Sequence, residues 1–284
     1  METQSLSPKR KAYDRAMRFL LYFCAGLTCV LLVAIIGVIF VRGLPHVTWS
    51  LLTSEPSVIR EVDGILPNIL NTLVLIFGTL LFVLPFGVGA AIYLTEYAKN
   101  KRVVAFIEFA TETLTGIPSI IFGLVGMLFF CQFLGWGGSI RAGIFTLVIM
   151  TLPTIVRTTQ ESLKTVPDAY REAALGLGSG KWRMVRTVVL PSSVDGIVTG
   201  CILSIGRIVG ESAALLYTAG STAKIMSSFG KMLTMPGGSL SVGLYTYSLE
   251  RGQIDTGFAI ATILLLITLC INLLAKVLGK KLKK

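Results

Sequence analysis

The sequence predicts an all-α integral membrane protein with six transmembrane helices and both termini in the cytoplasm. Three observations carry that prediction. Of 284 residues, 53% are hydrophobic and 14% charged, and mean hydropathy is +0.76, whereas soluble domains carry about 25% charged residues. Uncharged runs occupy 19–41, 64–95, 113–140, 142–156, 196–206 with 212–223, and 256–275, to be set against the roughly 20 residues a helix needs to cross the hydrocarbon core. With the N-terminus inside, 19 Lys and Arg residues fall on the inner side. Six fall outside (Arg42, Arg60, Arg141, Lys224, Lys231 and Arg251), and Arg207 is left within a span. The positive-inside rule therefore places both ends in the cytoplasm.

Residues 1–18 read as a basic inner tail. The first run, FLLYFCAGLTCVLLVAIIGVIFV, is too long for the h-region of a signal peptide and lacks a small-residue cleavage site, so it stays as an anchor. With its outer connection, VTWSLLTSEPSVIREVDG, it fills 19–66. The second run is too long for one straight span and the fourth too short. Tilt, a kink at Pro85 and snorkelling of Arg157 to the interface absorb the mismatch.

An inner segment near 158–193 and an outer one near 220–255 interrupt the later spans. The outer one, with GGSLSVGLYTYSLERGQ including Tyr245 and Tyr247, is either a plain loop or part of a surface that receives an external partner. Residues 277–284 form a basic inner tail.

The net charge of +11 would suit nucleic acid, but the basic residues are scattered over loops rather than gathered on one face, which excludes that class. Cys24, Cys29, Cys131, Cys201 and Cys270 lie in apolar runs with no CxxC pair, and His46 is the single histidine. They read as structural thiols, with no metal or other cofactor.

The inner segment reads TVPDAYREAALGLGSGKWRMVRTVVLP. Pro167 and Asp168 suit a helix start. Tyr170, Ala173, Ala174 and Leu177 then share one side, predicted to pack against protein, while Asp168, Arg171 and Glu172 take other positions. Gly176, Gly178 and Gly180 end the helix, KWRMVRTVVL forms a second amphipathic segment, and Pro191 closes the unit. GLGSGKW is not a phosphate-cradling loop. The pattern needs glycine at 175 and Ser or Thr at 182, which hold Leu175 and Trp182. Any ATP hydrolysis falls to a partner.

Glu172, Ala173, Ala174, Gly178, Leu190 and Pro191 have the spacing of the EAA loop, and the segment 165–191 thereby resembles the coupling loop of ABC importer permeases. Val188 stands where that pattern usually has Ile. The resemblance implies a coupling helix seated in a cleft of a separate cytoplasmic ATPase dimer, with Glu172 and Gly178 carrying most of the role.

Arg207 and Glu211 stand within the apolar run SIGRIVGESAALL. Facing lipid, each would cost about 2.5–3.5 kcal/mol, so they are expected to face the bundle interior or a water-filled path. On a continuous helix they are four apart in the less favourable order. A buried ion pair holding neighbouring spans together is one reading. A site for an anion is the other, because a guanidinium forks onto phosphate or carboxylate oxygens. Glu211 could then accept the P–OH proton of hydrogen phosphate, which ionised sulfate lacks. From Val194, Arg207 lies about 20 Å along the helix, in the outer half of the membrane. Gly196 with Gly200, and Gly206 with Gly210, form GxxxG pairs that allow close helix approach.

A second resemblance covers residues 64–276: GILPNILNTL, AIYLTEYA, GIPSIIFGL and GRIVGESAALLYTAG are similar to the PstA-type permease subunits of phosphate ABC importers. It implies the type I ABC importer permease fold over 67–276 and a transport subunit rather than an enzyme. It also implies a substrate pathway through Arg207, Gly210 and Glu211, joined by Ser212. Ser212 and Ala214 stand where the family often has Thr and Pro. The partners implied are a PstB-like cytoplasmic ABC ATPase dimer, a PstC-like second permease, a PstS-like external phosphate-binding protein and lipid of the cytoplasmic membrane. Importers of phosphonate, molybdate or sulfate would share the coupling loop. An ion-driven secondary transporter, with Glu211 as proton relay, is the rival from another class.

Overall fold

A computed structural model describes residues 8–57, 63–225 and 228–282, and all regular structure among them is helical. The first seven residues of the inner tail, Arg60, and the terminal Lys283 and Lys284 lie outside the described residues.

Helix α1 (Pro8–Gly43) runs 36 residues, so the tail from residue 8 is continuous with the first span. No proline or glycine interrupts it before Gly26, and Asp14 pairs with Arg18 one turn on at 2.8 Å. The most apolar part of its stretch Tyr13–His46 has no residue buried among the described residues. The helix meets the bundle near its C-terminal end. There Thr262 Oγ1 donates to the Ile39 carbonyl at 3.1 Å, and a Cβ on Gly43 would overlap Thr262 and the Phe258 carbonyl. Short α2 (Trp49–Thr53) follows, capped by Thr48, and α3 (Leu66–Ile92) continues unbroken past Pro85 into a π-helical turn, Tyr93–Tyr97.

The third span departs from the predicted run 113–140. Polar α4 (Lys101–Thr115) and α5 (Ser119–Gly126), extended by the π-helical Met127–Phe133, meet at 100°. Gly116 and Pro118 flank the corner, and a residue before proline is held out of the helical region. Helix α6 (Ile140–Lys164) has 25 residues rather than the short fourth run 142–156. The Arg157 side chain is 56% exposed. It bonds Glu161 at 3.0 Å and Glu112 of α4 at 3.3 Å, while Lys164 reaches Glu108 at 3.0 Å.

Helix α7 (Asp168–Gly176), α8 (Lys181–Met184), the π-helical Val185–Val189 and α9 (Leu190–Ser192) form the inner segment, which joins α10 (Val194–Gly210) at a 65° bend. Helix α11 (Ala213–Thr218) is separate from α10, so span five is two pieces, not one helix. After α12 (Phe229–Thr234), residues 237–243 turn back into the bundle and are buried through the first half of α13 (Leu240–Tyr245). The outer segment is therefore not an open loop. A π-helical turn, Thr246–Glu250, leads to α14 (Ile254–Leu282), the last span. Tyr247 is buried, its hydroxyl donating to the Gly64 carbonyl at 3.2 Å, whereas Tyr245 keeps some exposure.

Among the described residues four helices are long and apolar enough to cross a bilayer, and counting each of the two bent pairs as one span gives six. Helices α3, α6 and α10 build the centre, where Leu75, Ile76, Ile144, Leu147, Met150 and Ile205 are buried together. Glycines set the contact distance. A Cβ on Gly196 would overlap Ser162, and one on Gly200 would overlap Thr158, both on α6.

Candidate functional site

Span five breaks where its second charge lies. Glu211 leaves α10 with φ −79° and ψ 119°. A break inside a bilayer strands backbone groups that lipid cannot satisfy, and the chain supplies partners from two directions. Glu211 Oε1 accepts from the Ala214 amide at 2.9 Å, and the Ser241 hydroxyl donates to the Glu211 carbonyl at 2.6 Å.

Ser241 is delivered by the turned-back segment, which α3 fastens. Asn68 Nδ2 donates to the Gly238 and Ser239 carbonyls at 3.1 Å, Asn71 Nδ2 to Gly238 at 3.1 Å, and the Leu240 amide to Thr72 Oγ1 at 2.8 Å. Side chains on Gly237 or Gly238 would run into these amides: a Cβ on Gly237 would lie 2.7 Å from Asn71 Nδ2.

The break also separates the two charges. Glu211 is 7% exposed and turned off the helical path. Arg207, in the last turn of α10, forms no ion pair with it and has no hydrogen-bonding partner among the described residues. The buried-pair reading therefore does not hold. Arg207 offsets the negative end of α10 and belongs to a stripe that this chain leaves uncovered: Thr199, Leu203, Gly206 and Gly210 are all exposed. Unlike Gly196 and Gly200, Gly206 and Gly210 have open space where a Cβ would stand. Ser212 faces a cavity of about 220 Å³ with Ile120, Tyr217, Val242 and Tyr245.

In the inner segment, Gly178 has φ +80°, a conformation that glycine adopts without strain. Its amide bonds the Leu175 carbonyl at 2.9 Å and the Ser179 amide bonds the Ala174 carbonyl at 3.1 Å, which closes α7 by a Schellman motif. Within this chain the face that carries Tyr170 and Leu177 is left uncovered. Tyr170, Ala173 and Leu177 are exposed, Leu177 at 90%, while Arg171 points inward. Glu172 is exposed and has no partner among the described residues. Ala174 and Leu190 are half-buried and Pro191 exposed.

Sequence reasoning missed three groups. Arg171 binds Glu96, at the end of α3, at 2.9 Å. Ser241 closes the break, and Glu108 and Glu112 hold α6 from α4. Glu96 was within reach, since it stands in AIYLTEYA, but no local pattern pairs it with a residue 75 positions on.

Residues 83–284 match the family model described as the binding-protein-dependent transport system inner membrane component. The chain is 33% identical to the probable ABC transporter permease protein YqgI of Bacillus subtilis, covering 97% of this chain and 98% of that one. It is 34% identical to the phosphate transport system permease protein PstA 2 of Mycobacterium bovis, over 86% of this chain and 81% of that one. Among solved structures, a bacterial ABC transporter involved in the import of the acidic polysaccharide alginate superposes with TM-score 0.65 at 17% identity, covering 97% of this chain and 100% of that one. The chain belongs to the binding-protein-dependent inner membrane components: it is a membrane-spanning permease subunit of an ABC importer, working with a separate ATPase and a substrate-binding protein.

Proposed function

We propose that this subunit moves inorganic phosphate inward across the cytoplasmic membrane. The observation that carries the proposal is Arg207, a half-buried guanidinium beside an uncovered helix face, with no partner among the described residues. Such a group offsets the desolvation of an anion and forks onto its oxygens. Kinship with permeases named for phosphate supports the choice of anion.

The uncovered stripe of α10 suits a second, PstC-like permease, with the path running between the two past Arg207, Gly210, Glu211 and Ser212. Among the described residues one oxygen of Glu211 is engaged, with the Ala214 amide, which leaves the other to accept a hydrogen bond from the P–OH group of hydrogen phosphate. The exposed face of α7, with Glu172 beside Tyr170 and Leu177, docks in a PstB-like ATPase dimer, and Gly178 sets its angle. Both termini lie in the cytoplasm, and a PstS-like protein delivers phosphate outside. Closure of the ATPases on ATP then swings the permeases from one access state to the other.

Reconstitution of the four-part importer in proteoliposomes tests this. ATP-dependent uptake of labelled phosphate is expected, with excess phosphate competing and sulfate and molybdate failing to compete. Uptake of another oxyanion that phosphate does not inhibit would overturn the proposal.

A further inference from the structure

We infer that Arg171 is the positioning residue that makes the coupling helix move as one body with the ends of two spans, and that Glu96 is its receiver. The inference rests on the coupling role proposed for α7. No residue of α7 is buried, and its exposed face leaves little apolar contact to hold it against the bundle. Beside it, Met184, Val185 and Val189, from the segment after Gly178, pack with Ala91, Leu94, Leu163 and Val166, and from α7 itself Ala174 joins them at the edge.

Arg171 spans that gap. Its Nε and Nη2 donate to Glu96 Oε1 at 3.1 and 2.9 Å, Nη2 to the Leu163 carbonyl at 2.9 Å, and Nη1 to the Val166 carbonyl at 2.6 Å and Asp168 at 3.1 Å. One side chain of α7 thus ties the terminal turn of α3, the last turn of α6 and the link after it. The Arg171 and Glu96 side chains are only 15% and 6% exposed, so neither water nor salt screens the pair as it does at a surface. A planar fork holding several acceptors resists rotation as well as separation. Displacement of α7 by the ATPase is therefore passed to α3 and α6 instead of being lost at the Gly178 turn.

The test uses the complete importer in proteoliposomes. Arg171→Gln and Glu96→Gln are each expected to lower phosphate uptake about tenfold, the size of an ordinary coupling free energy, while the ATPase still co-purifies. In a chain whose five native cysteines are replaced by serine, Glu96→Cys with Arg171→Cys is expected to be uncoupled. Bridging that pair with a bifunctional methanethiosulfonate reagent is expected to restore uptake, which a role in folding alone would not produce. Uptake within twofold of wild type in the single variants, or a bridged pair no better than the unbridged one, overturns the inference. Leu177→Asp, on the exposed face, separates the two ideas. If the ATPase stays bound to it, the coupling role of α7 fails. If the ATPase is lost from it while Arg171→Gln still transports normally, only the present inference fails.

Discussion

Replacing Arg207 with Gln separates a transport role from a structural one, because the two predict opposite patterns. In the folded chain Arg207 pairs with nothing among the described residues, so Arg207→Gln breaks no ion pair. Breaking a buried pair costs about 3–5 kcal/mol. Here the loss is limited to the favourable position of a cation in the last turn of α10, about 0.3–1 kcal/mol. The detergent-solubilised protein should keep its thermal midpoint within a few degrees. On the path, the variant loses hydrogen bonds between a charged donor and a charged ligand, each about 1.5–3 kcal/mol. At limiting substrate that corresponds to roughly a ten- to hundredfold slower uptake. Labelled phosphate uptake and thermal unfolding, measured on the same preparation, report both quantities. Uptake within twofold of wild type would refute the reasoning. So would a large fall in the midpoint, which would make Arg207 a structural residue.

Glu211→Gln keeps an oxygen for the Ala214 amide and so should fold normally, while sulfate becomes a better inhibitor of phosphate uptake. An unchanged inhibition ratio would remove Glu211 from substrate selection. Gly200→Ala places a methyl group against Thr158 and should cost about 1–3 kcal/mol of stability. Gly206→Ala meets open space in this chain and should leave thermal unfolding of the isolated subunit unchanged, a contrast that unfolding curves read directly. Gly178→Asp strains a φ of +80° and is expected to abolish transport with normal membrane levels. Gly178→Asn, the residue that stands in for glycine at some helix ends of this kind, should retain more uptake, and equal uptake by the two variants would count against a conformational role.

The spans were legible because apolar runs and the side of each basic residue are properties of the linear sequence. Breaks and partners were less so. Gly116 and Pro118 were visible, but the polar run before them reads as a loop until Glu108 and Glu112 are seen to face Arg157 and Lys164. The separation of Arg207 from Glu211 was hidden for a different reason. Nothing in SIGRIVGESAALL forbids a helix, and the break at Glu211 is held by Ser241, 30 residues away. Asn68 and Asn71 likewise act on a segment some 170 residues on. Gly178 was singled out from spacing, and its positive φ gives the residue a local reason to be glycine. The inward turn of Arg171 was not visible, since a guanidinium on an amphipathic helix ordinarily seeks water.

Helix α1 has a consequence for how the sequence can drift. Over Tyr13–Ile36 every residue is exposed among the described residues, so lipid solubility and helix propensity are the constraints that the fold imposes there. One aliphatic residue replaces another with little effect. At Ile39 to Gly43 the demand changes to shape, since Thr262 and Phe258 leave no room for a methyl group at Gly43. Random mutagenesis of α1 should therefore yield a long tolerant stretch ending in a sharp intolerant step at Gly43.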